Sequence, residues 1–170
     1  MPSFSETIPA TAQRIINELN LFPHPSEGGF FFETHRSSGS LLINGQQRSL
    51  STAIYFLVVR DFPTELHHLP GDELFHFYLG DPLELFLFDE EKGAEIKMLG
   101  VDLEQGMRPQ ILIPGNFWQA ARVKKGGSYS LVGTTMTPGF DYSDYQALTR
   151  QEWKKKYPSG EEAVNKFYGM

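Results

Sequence analysis

From Gly28 to about Leu131 the chain is a series of short β-favouring runs broken by Gly and Pro turns, which points to an antiparallel sandwich or barrel. Residues 30–35 are aromatic and β-favouring. Residues 50–59 turn continuously apolar towards their end, as a strand buried on both faces does. Segments 73–79 and 83–88 are split by Gly80-Asp81-Pro82, a turn signal. In 94–99, Ala94, Ile96 and Met98 alternate with Glu95 and Lys97, a half-exposed strand. Segments 110–113, 117–123 and 128–132 complete the set, with Lys124-Lys125-Gly126-Gly127 as the last hairpin turn. Helices flank the strands. Residues 8–20 put Ile8, Ile15, Ile16 and Leu19 near one face after a Thr7-Ile8-Pro9 start. Near the other end Thr149/Glu152 and Ser159/Glu162 have capping-box spacing, and Pro158 separates two short helices. The expectation is an all-β domain over residues 1–170 with a barrel core at about 28–135.

A chain of 170 residues buries a core without staples. Fourteen Phe must pack somewhere, and some are candidates to line a cavity. The absence of cysteine excludes disulfides, thiolate metal sites and thiol nucleophiles. The net charge of -6 argues against nucleic-acid binding, and Lys154-Lys155-Lys156 reads as a solvated helix end. No run approaches the ~20 apolar residues of a membrane span. Residues 1–10 lack both a basic start and an apolar block, so no secretory leader is expected. The expected setting is the cytoplasm, with neither nucleic acid nor membrane as partner.

All five histidines fall between positions 24 and 76. His67-His68, Asp72-Glu73 and His76 surround one turn, Leu69-Pro70-Gly71. Neutral imidazoles and carboxylates are natural ligands for divalent metals and equally natural general bases.

His68, Glu73 and Gly80 resemble the first cupin motif, and Pro114-Gly115-Asn116-Phe117-Trp118-Gln119 resembles the second. The match is closer to cupin family 5, a branch of unknown function. It is carried by His24-Pro25-Ser26-Glu27-Gly28-Gly29-Phe30 with Glu33-Thr34, residues 51–57, Asp72-Glu73 with His76, Trp118-Gln119, and Pro138-Gly139-Phe140. The resemblance covers roughly residues 12–158. It implies a double-stranded β-helix, a jelly-roll barrel with a small-molecule pocket inside, assembled as a homodimer. Leu66 stands where the first motif usually has His, Asn116 where the second has Gly, and Gln119 where it has its ligand His. A neutral amide is a weak metal ligand. The first expectation is therefore no cofactor; the alternative is a divalent metal on His68, Glu73 and Gln119.

A fainter resemblance, in Gly29-Phe30 and Phe32-Glu33, reaches the metal-free deoxysugar-nucleotide epimerases of the same barrel. It implies His68 as base, oriented by Glu73 or Asp72, with Tyr142, Tyr55 or Tyr129 as acid. The expected chemistry is then epimerase or isomerase action on a small, carbohydrate-like substrate. The competing reading is a binding module with a pocket walled by Tyr55, Phe75, Phe77 and Trp118. Glu33 is read as a ligand contact or an orienter of His68, and Gln119 as a hydrogen-bonding contact. Trp118 fits core as well as pocket. Of His67 and His68 only one can face the pocket, and the motif spacing chooses His68. His76 has odd parity relative to Glu73, so it is either a sheet-interface histidine or is brought inward by a bulge after Asp72.

Overall fold

Apolar alternation decides which face each strand buries, and two faces meet to form the core. The computed structural model describes residues 8–60 and 62–169; none of its helices is long and apolar enough to cross a membrane. Helix α1 (Ala10–Glu18) leads in. Strands β1 (Phe22–Pro23), β2 (Phe30–Arg36), β3 (Ser40–Ile43), β4 (Gln46–Ser49), β5 (Thr52–Val59) and β6 (His67–His68) follow. Then come β7 (Glu73–Gly80), β8 (Leu83–Asp89), β9 (Gly93–Leu99), β10 (Gln110–Ile113), β11 (Trp118–Val123), β12 (Tyr129–Met136) and β13 (Gln146–Ala147). Helices α2 (Arg150–Lys156) and α3 (Glu161–Tyr168) close the described chain.

The strands form two antiparallel sheets, ordered β1-β2-β5-β12-β7-β10 and β13-β6-β11-β8-β9, with β3-β4 as a separate hairpin. This is the expected jelly roll. Phe56, Val58 and Phe75 of the first sheet meet Leu83, Leu85, Leu87, Ala121 and Val123 of the second, forming the central core. The outer side of the second sheet is also buried. Phe86, Phe88, Trp118 and Ala120 pack under Trp153, Val164 and Phe167 of α2 and α3. This double burial explains why β8 is apolar at nearly every position. Helix α1 covers the first sheet's outer side, with Ala12 and Ile16 against Leu57, Val59 and Leu131.

Several boundaries differ from the sequence reading. Thr7 lies outside the described residues, and Pro9 occupies the N-cap of α1. The strand expected to stop at Val132 continues to Met136, because β12 pairs with β5 and β7 over its length. Hairpin β3–β4 escaped the reading, although Asn44-Gly45 at its turn, with φ of 49° and 78°, is a strong hairpin signal. The capping box at Thr149 and Glu152 forms. The one at Ser159 does not: Pro158–Gly160 makes a 3-10 turn, and α3 starts only at Glu161. Gly160 sits so close to Phe88 that an added Cβ would lie 2.7 Å from the ring, which fixes that turn against the sheet.

Candidate functional site

Strand register settles which histidine faces inward. On β11, Gln119 lies opposite His67 and Trp118 opposite His68. Directly paired residues share a face of a sheet. Gln119 points inward, where its amide donates to Glu73 Oε2 across the barrel at 2.9 Å. His67 is therefore the inward histidine. His68 turns outward, with its ring 5.3 Å from Trp118 beneath the C-terminal helices. This reverses the expectation that His68 faces the pocket. Trp118 is buried in the same outer cluster, so it is core and not pocket wall.

The remaining expected residues divide in the same way. Glu73, Glu33 and Tyr142 line a cavity of about 280 Å³ walled by strands of the first sheet and the loops beside it. Phe75 faces inward but lies in the central core and is not among the lining residues. Tyr55 and Tyr129 face outward towards the α1 cluster. His76 also faces outward, with Nε2 3.0 Å from Thr135 Oγ1 and Nδ1 3.1 Å from Gln110 Nε2. The register shift in β7 falls at Tyr78, beyond His76, so no bulge turns this ring inward. Asp72 is a structural residue: Oδ1 accepts a 2.8 Å bond from Gly115 N and pins the Pro114-Gly115 turn.

The metal set His68, Glu73 and Gln119 is not gathered. His68 lies on the other face, and the Gln119 amide is already bonded to Glu73. Among the described residues no group of three or more His, Cys, Asp or Glu is arranged to hold a metal ion.

Two residues that carried the family resemblance without a site role complete the cavity floor: His24 and Glu27, three positions apart after β1. His24 Nδ1 accepts the backbone N–H of Glu27 at 2.9 Å and of Ser26 at 3.3 Å. Its proton therefore sits on Nε2, 3.9 Å from Glu27 Oε1. His67 is oriented the opposite way. Its Nδ1 lies 2.9 Å from Glu65 O, a carbonyl that can only accept, so Nδ1 carries the proton. Its Nε2 is left as a buried lone pair with no hydrogen-bond partner among the described residues, 3.8 Å from the same Glu27 oxygen. Gly28 and Gly29, with φ of 80° and 70°, bend the chain between Glu27 and β2. An added Cβ at Gly29 would sit 2.9 Å from Leu57 O. The His-x-x-Glu-Gly-Gly spacing was the available signal for this corner.

Burial dominates the electrostatics of the floor. It pushes the Glu27 carboxyl from 4.5 up to about 7. Glu73 is also raised, by burial first and the Glu27 charge second. Burial, then the neighbouring His67, lowers His24 from 6.5 to about 4. Burial likewise lowers His67. Two neutral imidazoles thus flank one readily protonated carboxyl. Tyr145 stacks on His67 at 5.3 Å.

The mouth is built by a strap, residues 138–145, that two arginines hold. In β2 a bulge between Glu33 and His35 shifts the parity, so Glu33 and Arg36 both reach the cavity. Arg36 bonds both Glu33 oxygens at 2.9 and 2.7 Å and donates to Phe140 O at 3.0 Å. From β4, buried Arg48 grips Asp144 at 3.1 and 2.6 Å. Phe140 and Tyr142 are thereby presented to the cavity. Burial first, then Glu27 and Glu33, raises the Tyr142 hydroxyl above its ordinary value.

The family model described as Cupin_5, Cupin superfamily (DUF985), matches residues 13–148. An uncharacterised Saccharomyces cerevisiae protein is 26% identical, over 92% of this chain and 84% of its own length. Among solved structures, a hypothetical protein from Leishmania major is 30% identical, covering 91% of this chain and 97% of that one, at a TM-score of 0.85. A Shewanella oneidensis protein is 31% identical, covering 91% and 95%, at a TM-score of 0.82.

Proposed function

The chain belongs to the Cupin_5 (DUF985) family of the cupin superfamily, and on that premise we propose that its barrel cavity binds a small molecule and acts on it by proton transfer. One observation carries this reading: a carboxyl with a pKa of about 7, Glu27, lines the cavity between two neutral imidazoles. A group half ionised near neutral pH both takes and returns a proton. Glu27, not His68, is the proposed base. The reaction class is isomerisation or epimerisation of a small polar carbonyl compound. The C–H bond beside the carbonyl breaks, its proton passes to Glu27, and the electron pair moves onto the carbonyl oxygen. His24 Nε2–H and the Tyr142 hydroxyl are the donors available to that oxygen. Return of the proton to carbon completes the turnover. A cavity of about 280 Å³ lies at the small end for ligand sites, which favours a monosaccharide-sized substrate over a sugar nucleotide.

The second reading is capture without turnover. It is favoured by Phe31, Phe56 and Phe140 in the lining and by the bond that ties Glu73 to Gln119. NMR of small hydroxy-ketones and keto-sugars in D2O separates the two readings. Wild-type protein is expected to wash deuterium into the C–H beside the carbonyl, and Glu27→Gln to lose this by 100-fold or more, a typical general-base contribution being about 10²–10⁴. Equal exchange by Glu27→Gln would remove Glu27 from the mechanism. Binding with no exchange would leave the capture reading.

A further inference from the structure

We propose that the ligand this cavity selects is a small organic cation, an ammonium group on a body no larger than a single ring. The inference rests on the reading of the cavity as a small-molecule site and narrows the chemistry of its occupant.

The charge inventory comes first. Three carboxylates line the cavity, Glu27, Glu33 and Glu73, against one guanidinium, Arg36. Arg36 is fully engaged, with two bonds to Glu33 and one to Phe140 O. That pair closes on itself at the mouth. Among the described residues neither Glu27 nor Glu73 has a lysine or arginine partner. Their neighbours are imidazoles held neutral by burial. Two buried acids without a cation are held towards their protonated forms, and a ligand cation can supply the charge that the chain does not.

The hydrogen-bond inventory points the same way. The Glu27 carboxyl accepts no hydrogen bond from any described residue, its contacts being the imidazoles at 3.8 and 3.9 Å. His67 Nε2 is an acceptor without a donor on a side chain only 5% exposed. Both acceptors belong to the same corner, Glu27 on the cavity wall and His67 in the layer behind it, 3.8 Å away. An ammonium group offers three N–H donors and no acceptor, the complement of such a corner. The walls suit it as well. Phe31, Phe56, Phe140 and Tyr142 line the same cavity as Glu27, and aromatic rings attract cations. An anion would meet the exposed side of an arginine already neutralised by Glu33.

The test is a matched set of probes, benzylamine, benzyl alcohol and benzoate, titrated into the full chain by calorimetry and by NMR of cavity methyls. Benzylamine is expected to bind at least tenfold tighter than benzyl alcohol, with benzoate weakest. Glu27→Gln is expected to bring amine and alcohol to equal affinity. Glu73→Gln, carrying the second acid, is expected to narrow the gap by a smaller factor. Because wild-type selectivity is itself decisive, a variant that fails to fold leaves the test intact. Equal binding of all three probes, or a preference for benzoate, overturns the cation while leaving a small-molecule site in place. An amine preference that survives in folded Glu27→Gln overturns the assignment to this corner. Binding of none of the three overturns both the cation and the site.

Discussion

His67 and His68 are neighbours in sequence with opposite surroundings. The inward ring meets Glu27 and lies over Tyr145, beside carboxylates and a cavity. The outward ring, half-buried, meets Trp118 at an aromatic cap that includes Trp153, Phe88 and Phe167. Each ring leaves one nitrogen without a hydrogen-bond partner among the described residues, Nε2 of His67 and Nδ1 of His68. The consequences differ because the neighbours differ. Beside Glu27 the lone pair lies within 3.8 Å of a buried carboxyl that lines the cavity. Under α2 and α3 it is a polar atom carried inside a packing interface. The comparison shows that a β-strand's two faces can convert one dipeptide into a chemical group on one side and a packing group on the other.

The largest effect should come from the aromatic cap. Trp153→Ala empties a site whose side chain is 1% exposed. It is expected to cost about 3–5 kcal/mol, read by chemical denaturation, because a large buried aromatic is lost. A loss below about 1 kcal/mol would mean that the cap contributes little, and the contrast between the faces would weaken.

The next effect belongs to the cavity side and depends on pH. Folded Glu27 stays protonated to about pH 7, whereas the unfolded chain releases that proton near its ordinary 4.5. Stability therefore falls as pH rises from about 4.5 to 7, and Glu73 adds in the same direction. His24 works oppositely: the folded ring stays neutral to about pH 4 while the unfolded one protonates below 6.5, so stability falls as pH drops through that window. A plateau between about pH 4.5 and 6.5 is expected, with losses on both sides. Glu27→Gln should turn the plateau into a rise with pH and leave the variant more stable than wild type by on the order of 3 kcal/mol at pH 8, with the Glu27 share of the alkaline loss gone. Denaturation curves across pH would expose an unchanged alkaline limb in the variant, and that result would contradict the burial-driven shift.

The smallest effect sharpens the comparison most directly. His68→Phe keeps a ring beside Trp118 and deletes the unpartnered Nδ1, so stability should hold or rise by about 1 kcal/mol. His67→Phe also deletes the 2.9 Å bond to Glu65 O and should cost about 1–2 kcal/mol. Equal responses from the two variants would erase the distinction between the faces.

The fold was largely legible, because strands announce themselves by alternation and by the turns between them. Segment 110–113 is the observed β10, and 83–88 falls one residue short of β8. Glu73 was legible as well, since a carboxylate among Leu74, Phe75 and Phe77 needs a partner, and Gln119 supplies it. The facing of His67 and His68 was not. Strand β6 has two residues, too few for alternation to reveal a register, and only pairing with β11 and β13 sets it. Arg36 was hidden for a related reason: the bulge at Thr34 reverses the parity of every later residue in β2. Glu27 sits in a loop, where no period marks the inward direction.

The two arginines at the mouth join distant parts of the chain. Arg36 and Phe140 are 104 positions apart, and Arg48 and Asp144 are 96. The sheets themselves join distant segments, β5 pairing with β12 and β6 with β13, and the two ties belong to the same late, long-range closure. A nascent chain that has not yet reached Phe140 carries Glu27 and Glu73 in an unroofed trough. The closed form of the cavity therefore arrives late, and the strap acts as a clasp between the first and last parts of the polypeptide.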